Sequence, residues 1–206
     1  MGNHTNNTND TNDLRVMLEI GLRGKRVVAV ASDWPGLERG ATTEEAAIER
    51  LRSYVPRYAP VAKLAGMEDA FPTNTTGGVG DVDVVERYPG TGSTDFWGIS
   101  FGFSGIDQEA MSGEELEREL RLMRACWAFF DDVRSRVSAE MQKGPRGGGR
   151  DRDRIVRHTL FTELDWAKML GVLASQQVEE AREAILTEEG LNEHDPAQSL
   201  RPRHHR

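Results

Sequence analysis

From Ser112 to Met141 the chain reads SGEELERELRLMRACWAFFDDVRSRVSAEM, in which Leu116, Leu120, Met123, Trp127, Phe130, Val133, Val137 and Met141 recur at steps of three and four. That spacing sets all of them on one stripe of a 3.6-residue helix. Ser112 as N-cap, with Glu115 three residues on, forms a capping box that satisfies backbone donors the first turn would leave open. Nothing in the stretch is chemically committed. A helix of this length must bury its stripe against neighbours, because ordering the backbone costs about 1–2 kcal/mol per residue. The stripe therefore predicts a helical bundle that starts near residue 112.

The chain of 206 residues fits two small units better than one large domain. Its formal charge of −8 argues against a general nucleic-acid binder, whose phosphate contacts need a basic surface. Cys126 is the one cysteine, which excludes an internal disulfide and a thiolate zinc cluster. Inside the helix beside Trp127 it reads as a small core residue. No run reaches the length of a membrane span, and the polar N-terminus lacks the charged-then-apolar layout of a signal peptide. A cytoplasmic protein with no membrane partner is expected.

Residues 1–13, MGNHTNNTNDTND, hold too few apolar groups to offset the entropy of ordering and read as a disordered tail. From Leu14 the texture changes to LRVMLEIGLRGKRVVAVASDWPGL, two β-rich runs joined at Gly21 to Gly24, the pattern of a hairpin. The second run, Val27 to Ala31, is nearly all apolar, so both of its faces should be covered. Asp33-Trp34-Pro35-Gly36 breaks the strand. Thr42 and Glu45 then read as a second capping box, opening a helix with Ala47, Leu51, Tyr54 and Tyr58 on one stripe. Pro56 should end or kink this helix, and Pro60 should do so again.

The paired strands, the Asp-x-Pro-Gly turn, Gly40, and Thr42, Glu44, Glu45 and Ala46 leading a helix together resemble the HicB-like antitoxin domain over residues 14–65. The resemblance implies a β-β-β-α unit which, in toxin–antitoxin pairs, covers the active site of a toxin partner.

Residues 66–111 are rich in glycine and threonine. Val82, Val84 and Val85 among Asp81, Asp83 and Glu86 suggest a strand that extends the first sheet, and Phe96, Ile99, Phe101 and Phe103 suggest another. Phe96 and Trp97, at a sheet-to-helix junction, read as core, with a pocket lined by them and the glycines around them as the alternative. Gly77-Gly78-Val79-Gly80 is not a phosphate loop, since no Gly-Lys-Ser/Thr follows it.

After Met141 the glycines and Pro145 predict a flexible connection, and Lys143, Arg146, Arg150, Arg152, Arg154 and Arg157 gather positive charge around Asp151 and Asp153. The bland reading of this 143–157 loop is a solvated turn whose aspartates complement a helix N-terminus; the sharper one is an anion or nucleic-acid site. The next helix carries Ile155, Thr159, Thr162, Trp166 and Met169 on one face, and Gly171 closes it.

A long helix with an aromatic cluster, a glycine-rich crossing, and then Arg154, His158, Glu163 and Trp166 resembles the DinB-like helical-bundle family over residues 112–190. In that family a histidine joins acidic or histidine residues of a later helix around a divalent metal, and several members are thiol-dependent transferases or isomerases. The resemblance implies His158 as a metal ligand. Asp165, seven residues on, shares its helix face, whereas Glu163 points elsewhere. A catalytic metal generally takes three protein ligands. The third helix, near Ser175 to Leu186, brings no histidine, and His194, His204 and His205 lie in a polar, proline-broken tail.

The sequence thus predicts an α+β protein: a disordered tail at 1–13, a HicB-like unit at 14–111 with a small antiparallel sheet and one packed helix, a DinB-like up-down bundle of about three helices at 112–190, and a polar tail at 191–206. Its expected role is an interaction or regulatory module with a protein partner or a second copy and no catalytic residues or cofactor of its own. The alternatives are a metal-dependent enzyme using His158, with Asp165 as a further ligand, and anion or nucleic-acid binding by the 143–157 loop.

Overall fold

The computed structural model describes residues 13–73, 79–143, 148–171 and 180, and shows an α+β protein: a four-stranded mixed sheet with its helices, followed by long C-terminal helices. The expected third helix near 175–186 apart from residue 180, most of the N-terminal tail, and the C-terminal tail with its three histidines lie outside the described residues.

Two of the three N-terminal strands are the hairpin read from the sequence, and the third, Glu38–Ala41, was not read from its residues. β1 (Leu14–Ile20) pairs antiparallel with β2 (Val27–Ala31), which pairs antiparallel with β3 (Glu38–Ala41). β4 (Val82–Pro89) joins the other side of β1 in parallel, giving the order β3-β2-β1-β4 and a mixed sheet where an antiparallel one was expected. The reason is topological. β3 runs the same way as β1, so a return to a strand parallel to both requires a crossover, which helices supply.

Those helices are α1 (Glu44–Arg52) and α2 (Val55–Leu64), where one packed helix, ended or kinked at Pro56, was expected. The N-cap of α1 is Thr43, not Thr42: its hydroxyl accepts from the Ala46 N–H at 3.2 Å. Pro56 falls in the first turn of α2, where its missing donor costs nothing. Pro60 sits inside α2 without ending it, at an exposed position where only one backbone bond is forgone.

One sheet face is packed by these helices. Leu14, Val16 and Leu18 of β1, with Val27, Ala29 and Ala31 of β2, meet Ala47, Leu51, Val55 and Ala62, and Trp34, Tyr58 and Phe71 close the core with edge and stacked ring contacts. The opposite face carries Met17, Glu19, Val28 and Tyr88, all buried. Strand alternation requires this second set, because Glu19 pairs with Val28 on one side and with Tyr88 on the other.

α4 (Gly113–Arg136) opens with the expected box: the Glu115 N–H donates to Ser112 Oγ at 3.2 Å, and the Ser112 N–H donates to Glu115 Oε2 at 2.7 Å. It ends earlier than Met141, and its buried face is not the expected stripe. Leu122 and Ala125 are buried, Leu122 within the core of the sheet, while Leu116, Met123 and Trp127 are exposed. The helix is rotated because its tie to the sheet is polar as well as apolar. Arg118 donates to the Asp33 carbonyl and lies 5.3 Å over the Trp34 ring, and Cys126 is half-buried in hydrogen-bond contact with the Tyr58 hydroxyl.

The chain divides into two compact units, Met1–Asp132 and Val133–Arg206. In the second, α5 (Arg152–Met169) is capped by Asp151, whose Oδ1 accepts from the Arg154 N–H at 2.8 Å, and the left-handed Gly171 follows its end as expected. Among the described residues no helix is long and apolar enough to cross a membrane.

Candidate functional site

The expected strand over Phe96 to Phe103 is absent. In its place are a short helix, α3 (Gly92–Trp97), and an irregular segment that runs back across the second face of the sheet. α3 starts in a capping box of two threonines: Thr91 Oγ1 accepts from the Ser93 and Thr94 N–H groups, and Thr94 Oγ1 accepts from the Thr91 N–H at 2.9 Å. It stops at Gly98, whose φ of +69° is a left-handed cap that a residue with a Cβ adopts at a cost.

Carboxylates fix this segment. Glu19, near the end of β1 and wholly buried, accepts from the Thr94 hydroxyl, from Ser100 Oγ at 2.6 Å, from the Phe101 N–H at 3.1 Å and from the Gly102 N–H at 3.0 Å. Burial pushes its carboxyl up, but these bonds to the charged form outweigh that and hold it below the usual range. Asp95, in the first turn of α3, reaches back to the β1–β2 turn and accepts from the N–H groups of Arg23, Lys25 and Arg26 at 2.6, 2.8 and 3.2 Å. Desolvation raises its carboxyl, and the three backbone donors lower it to a net depression. Glu86 of β4 accepts from the Gly105 N–H at 2.8 Å. On β3, Glu38 accepts from the Ser100 N–H at 3.3 Å; burial raises its carboxyl, with the neighbouring Glu19 charge adding to the rise.

A backbone pinned from the sheet side turns its large side chains outward. Phe96, Trp97 and Phe103 are 74%, 67% and 78% exposed, with Ile99 and Phe101 also exposed between them. Phe96 and Trp97 meet edge to face at 4.7 Å. Phe96 and Trp97 were expected to be core; they stand outside it because the space they would need is filled by the segment's own backbone on Glu19. Leu22, also exposed, lines a shallow groove with Phe96 between Arg23 and Lys25.

The other predicted site residues are placed as follows. His158 is exposed on α5, where Thr162 Oγ1 donates to its backbone carbonyl, and Asp165 is exposed two turns further on. Among the described residues no group of three or more His, Cys, Asp and Glu side chains is placed to hold a metal ion. In the basic loop, Arg152 pairs with Asp153 at 2.7 Å and donates to the Val137 carbonyl, and Arg154 lies 3.7 Å from Asp151. Both arginines therefore have internal carboxylates beside them.

Sequence reasoning overlooked Glu19. Its signal was present: one acid in a strand whose only other charged residue is the exposed Arg15, and a protein buries such an acid only where donors meet it. Those donors come from residues more than seventy positions away, so pattern alone could not supply them. A scan of protein-family models, a search of curated proteins and a search of solved structures each found no match to this chain.

Proposed function

We propose that this chain is a protein-interaction module, acting in the cytoplasm, whose sheet unit docks a partner through the aromatic face of residues 96–103. The observation that carries this reading is the exposure of Phe96, Trp97 and Phe103 on a segment held by four donors to one buried carboxylate. Exposed aromatic residues on a mobile loop can fold away; on a fixed backbone they stay in water unless a partner covers them. Tryptophan and phenylalanine also bury large areas with few rotors to freeze, which suits them to binding hot spots. Arg23, Lys25 and Arg26 border the face, so the fitting partner presents apolar anchors within an acidic rim.

The resemblance of residues 14–65 to HicB-like units supports the same reading, since β1, β2, β3 and α1 follow one another in that family's order. The DinB-like likeness of the C-terminal part enters here as a helical unit joined to the docking unit.

A photo-crosslinking amino acid placed at Phe103 in the full chain tests the proposal, with the same group at exposed Leu64 on α2 as control. A discrete adduct from 103 and none from 64 is expected, and the adduct's protein, purified, should lose at least about tenfold in affinity for the double variant Phe96→Ser, Trp97→Ser. Identical adducts from both positions, or unchanged affinity for the variant, would rule the face out.

A further inference from the structure

Next to the aromatic face, Arg26, Arg39 and Arg50 line a cleft of about 320 Å³ together with Glu38, Trp97 and Ile99. Close backbone contact builds it. Gly40 of β3 has no side chain, and a Cβ there would stand 2.2 Å from the Gly98 carbonyl oxygen, so the end of α3 seats directly on the strand. The left-handed turn at Gly98 then separates Trp97 from Ile99. Arg26 lies over this junction, its Cδ 3.9 Å from where a Gly98 Cβ would be.

The three guanidiniums are unequally committed. Arg39 lies 3.6 Å from the Tyr54 ring centroid and donates to the Glu38 carbonyl, which makes it part of the wall. Arg50 gives one N–H to the Gly40 carbonyl at 3.0 Å, which orients its fork and leaves its other donors open. Arg26 has no side-chain hydrogen bond or ion pair among the described residues. Glu38, the acid of the cleft, accepts from the Ser100 N–H and pairs with none of the three. The protein carries 34 acidic against 26 basic side chains, so a cleft that sets three arginines against the single carboxylate of Glu38, whose charge attracts Arg39, runs against its overall charge.

We infer that this cleft binds an aromatic anion, its ring laid against the Trp97 indole and its phosphate or carboxylate held by Arg26 and Arg50. Guanidinium groups match planar or tetrahedral oxyanions through paired N–H donors, which makes arginine a stronger choice here than a point charge. An exposed indole braced edge-on by Phe96 offers a stacking wall. The volume lies at the lower end of the range of about 300–1,000 Å³ for small-molecule sites, enough for one ring system with one anionic group. This site is separate from the docking reading, although Trp97 belongs to both surfaces.

The test is titration of the full chain with adenosine monophosphate, with indole-3-acetate and with inorganic phosphate, followed by calorimetry and by the indole N–H resonance of Trp97. Saturable binding of one aromatic probe at millimolar or lower concentration is expected, with the Trp97 resonance shifting. Adenosine monophosphate binding alone assigns a phosphate site, and indole-3-acetate binding alone a carboxylate site. Trp97→Ala and Arg50→Ala should each weaken binding at least about tenfold, Arg50→Lys should recover it only in part, and Arg124→Ala on α4 should leave it unchanged. No saturation by either aromatic probe, equal affinity for inorganic phosphate, or wild-type affinity in the Trp97 and Arg50 variants would overturn the inference. The Phe103 crosslink reports on docking independently of these outcomes.

Discussion

Replacing Glu19 is the sharpest probe of this fold, because one side chain accepts from four donors of the aromatic segment. In Glu19→Ala the Ser100 hydroxyl can turn toward the Tyr88 hydroxyl, 3.4 Å away, and Thr94 Oγ1 toward Thr91 Oγ1 at 3.3 Å. The Phe101 and Gly102 N–H groups have no such recourse. At about 1–3 kcal/mol for each buried donor left without an acceptor, the loss of these two comes to about 2–6 kcal/mol. Glu19→Gln keeps the shape but sets an amide nitrogen against donors, because both carboxylate oxygens accept from more than one group. Its cost should be about 2–3 kcal/mol.

The stability contributed by Glu19 also depends on pH. A depressed folded pKa means that the native state binds this proton less well than the unfolded chain does. The Glu19 contribution is therefore complete above the ordinary value of 4.5 and is lost as pH falls through the lower folded value. Guanidinium unfolding followed by near-ultraviolet circular dichroism, at neutral pH and below 4.5, should show the gap between wild type and Glu19→Gln narrowing on acidification. A gap under about 1 kcal/mol at neutral pH, or one that does not change with acid, would refute the claim that a charged Glu19 organises the segment.

Glu38 should behave in the opposite sense: with its carboxyl raised, its contribution is complete below 4.5 and is lost as pH rises through the folded value, so Glu38→Gln should remove that loss in the same unfolding experiment. On α4, Leu122→Ala should cost about 2–5 kcal/mol and Met123→Ala under about 1, because Leu122 is 1% exposed and Met123 39%; equal melting-temperature losses would return the packing face to the sequence-predicted stripe. Gly40→Ala should destabilise toward the upper end of about 1–3 kcal/mol by driving a methyl into the Gly98 backbone, whereas Gly92→Ala, with open space around it, should leave the melting temperature unchanged or slightly raised. Asp95→Ala should speed amide hydrogen exchange at Arg23, Lys25 and Arg26, and unchanged protection there would show that the turn holds itself without α3.

Residues that act through local pattern were legible in the sequence. The runs at Leu14 to Ile20 and Val27 to Ala31, the strand beginning at Val82, the Ser112–Glu115 box and the stop at Gly171 each rest on interactions within a few residues or on a short repeat. Three-dimensional context decided the rest. Which face of α4 packs depended on Arg118 finding the Asp33 carbonyl and on Leu122 finding the sheet. β4 became parallel because α1 and α2 carry the chain across the sheet. The run from Phe96 to Phe103 has the apolar spacing of a strand, yet its backbone bonds to side-chain carboxylates, and this left its aromatic rings in solvent. Local propensity is written residue by residue and can be read that way; the partner of a buried charge is chosen only when distant segments meet, since the cost of burying Glu19 is offset by donors that no neighbouring position provides.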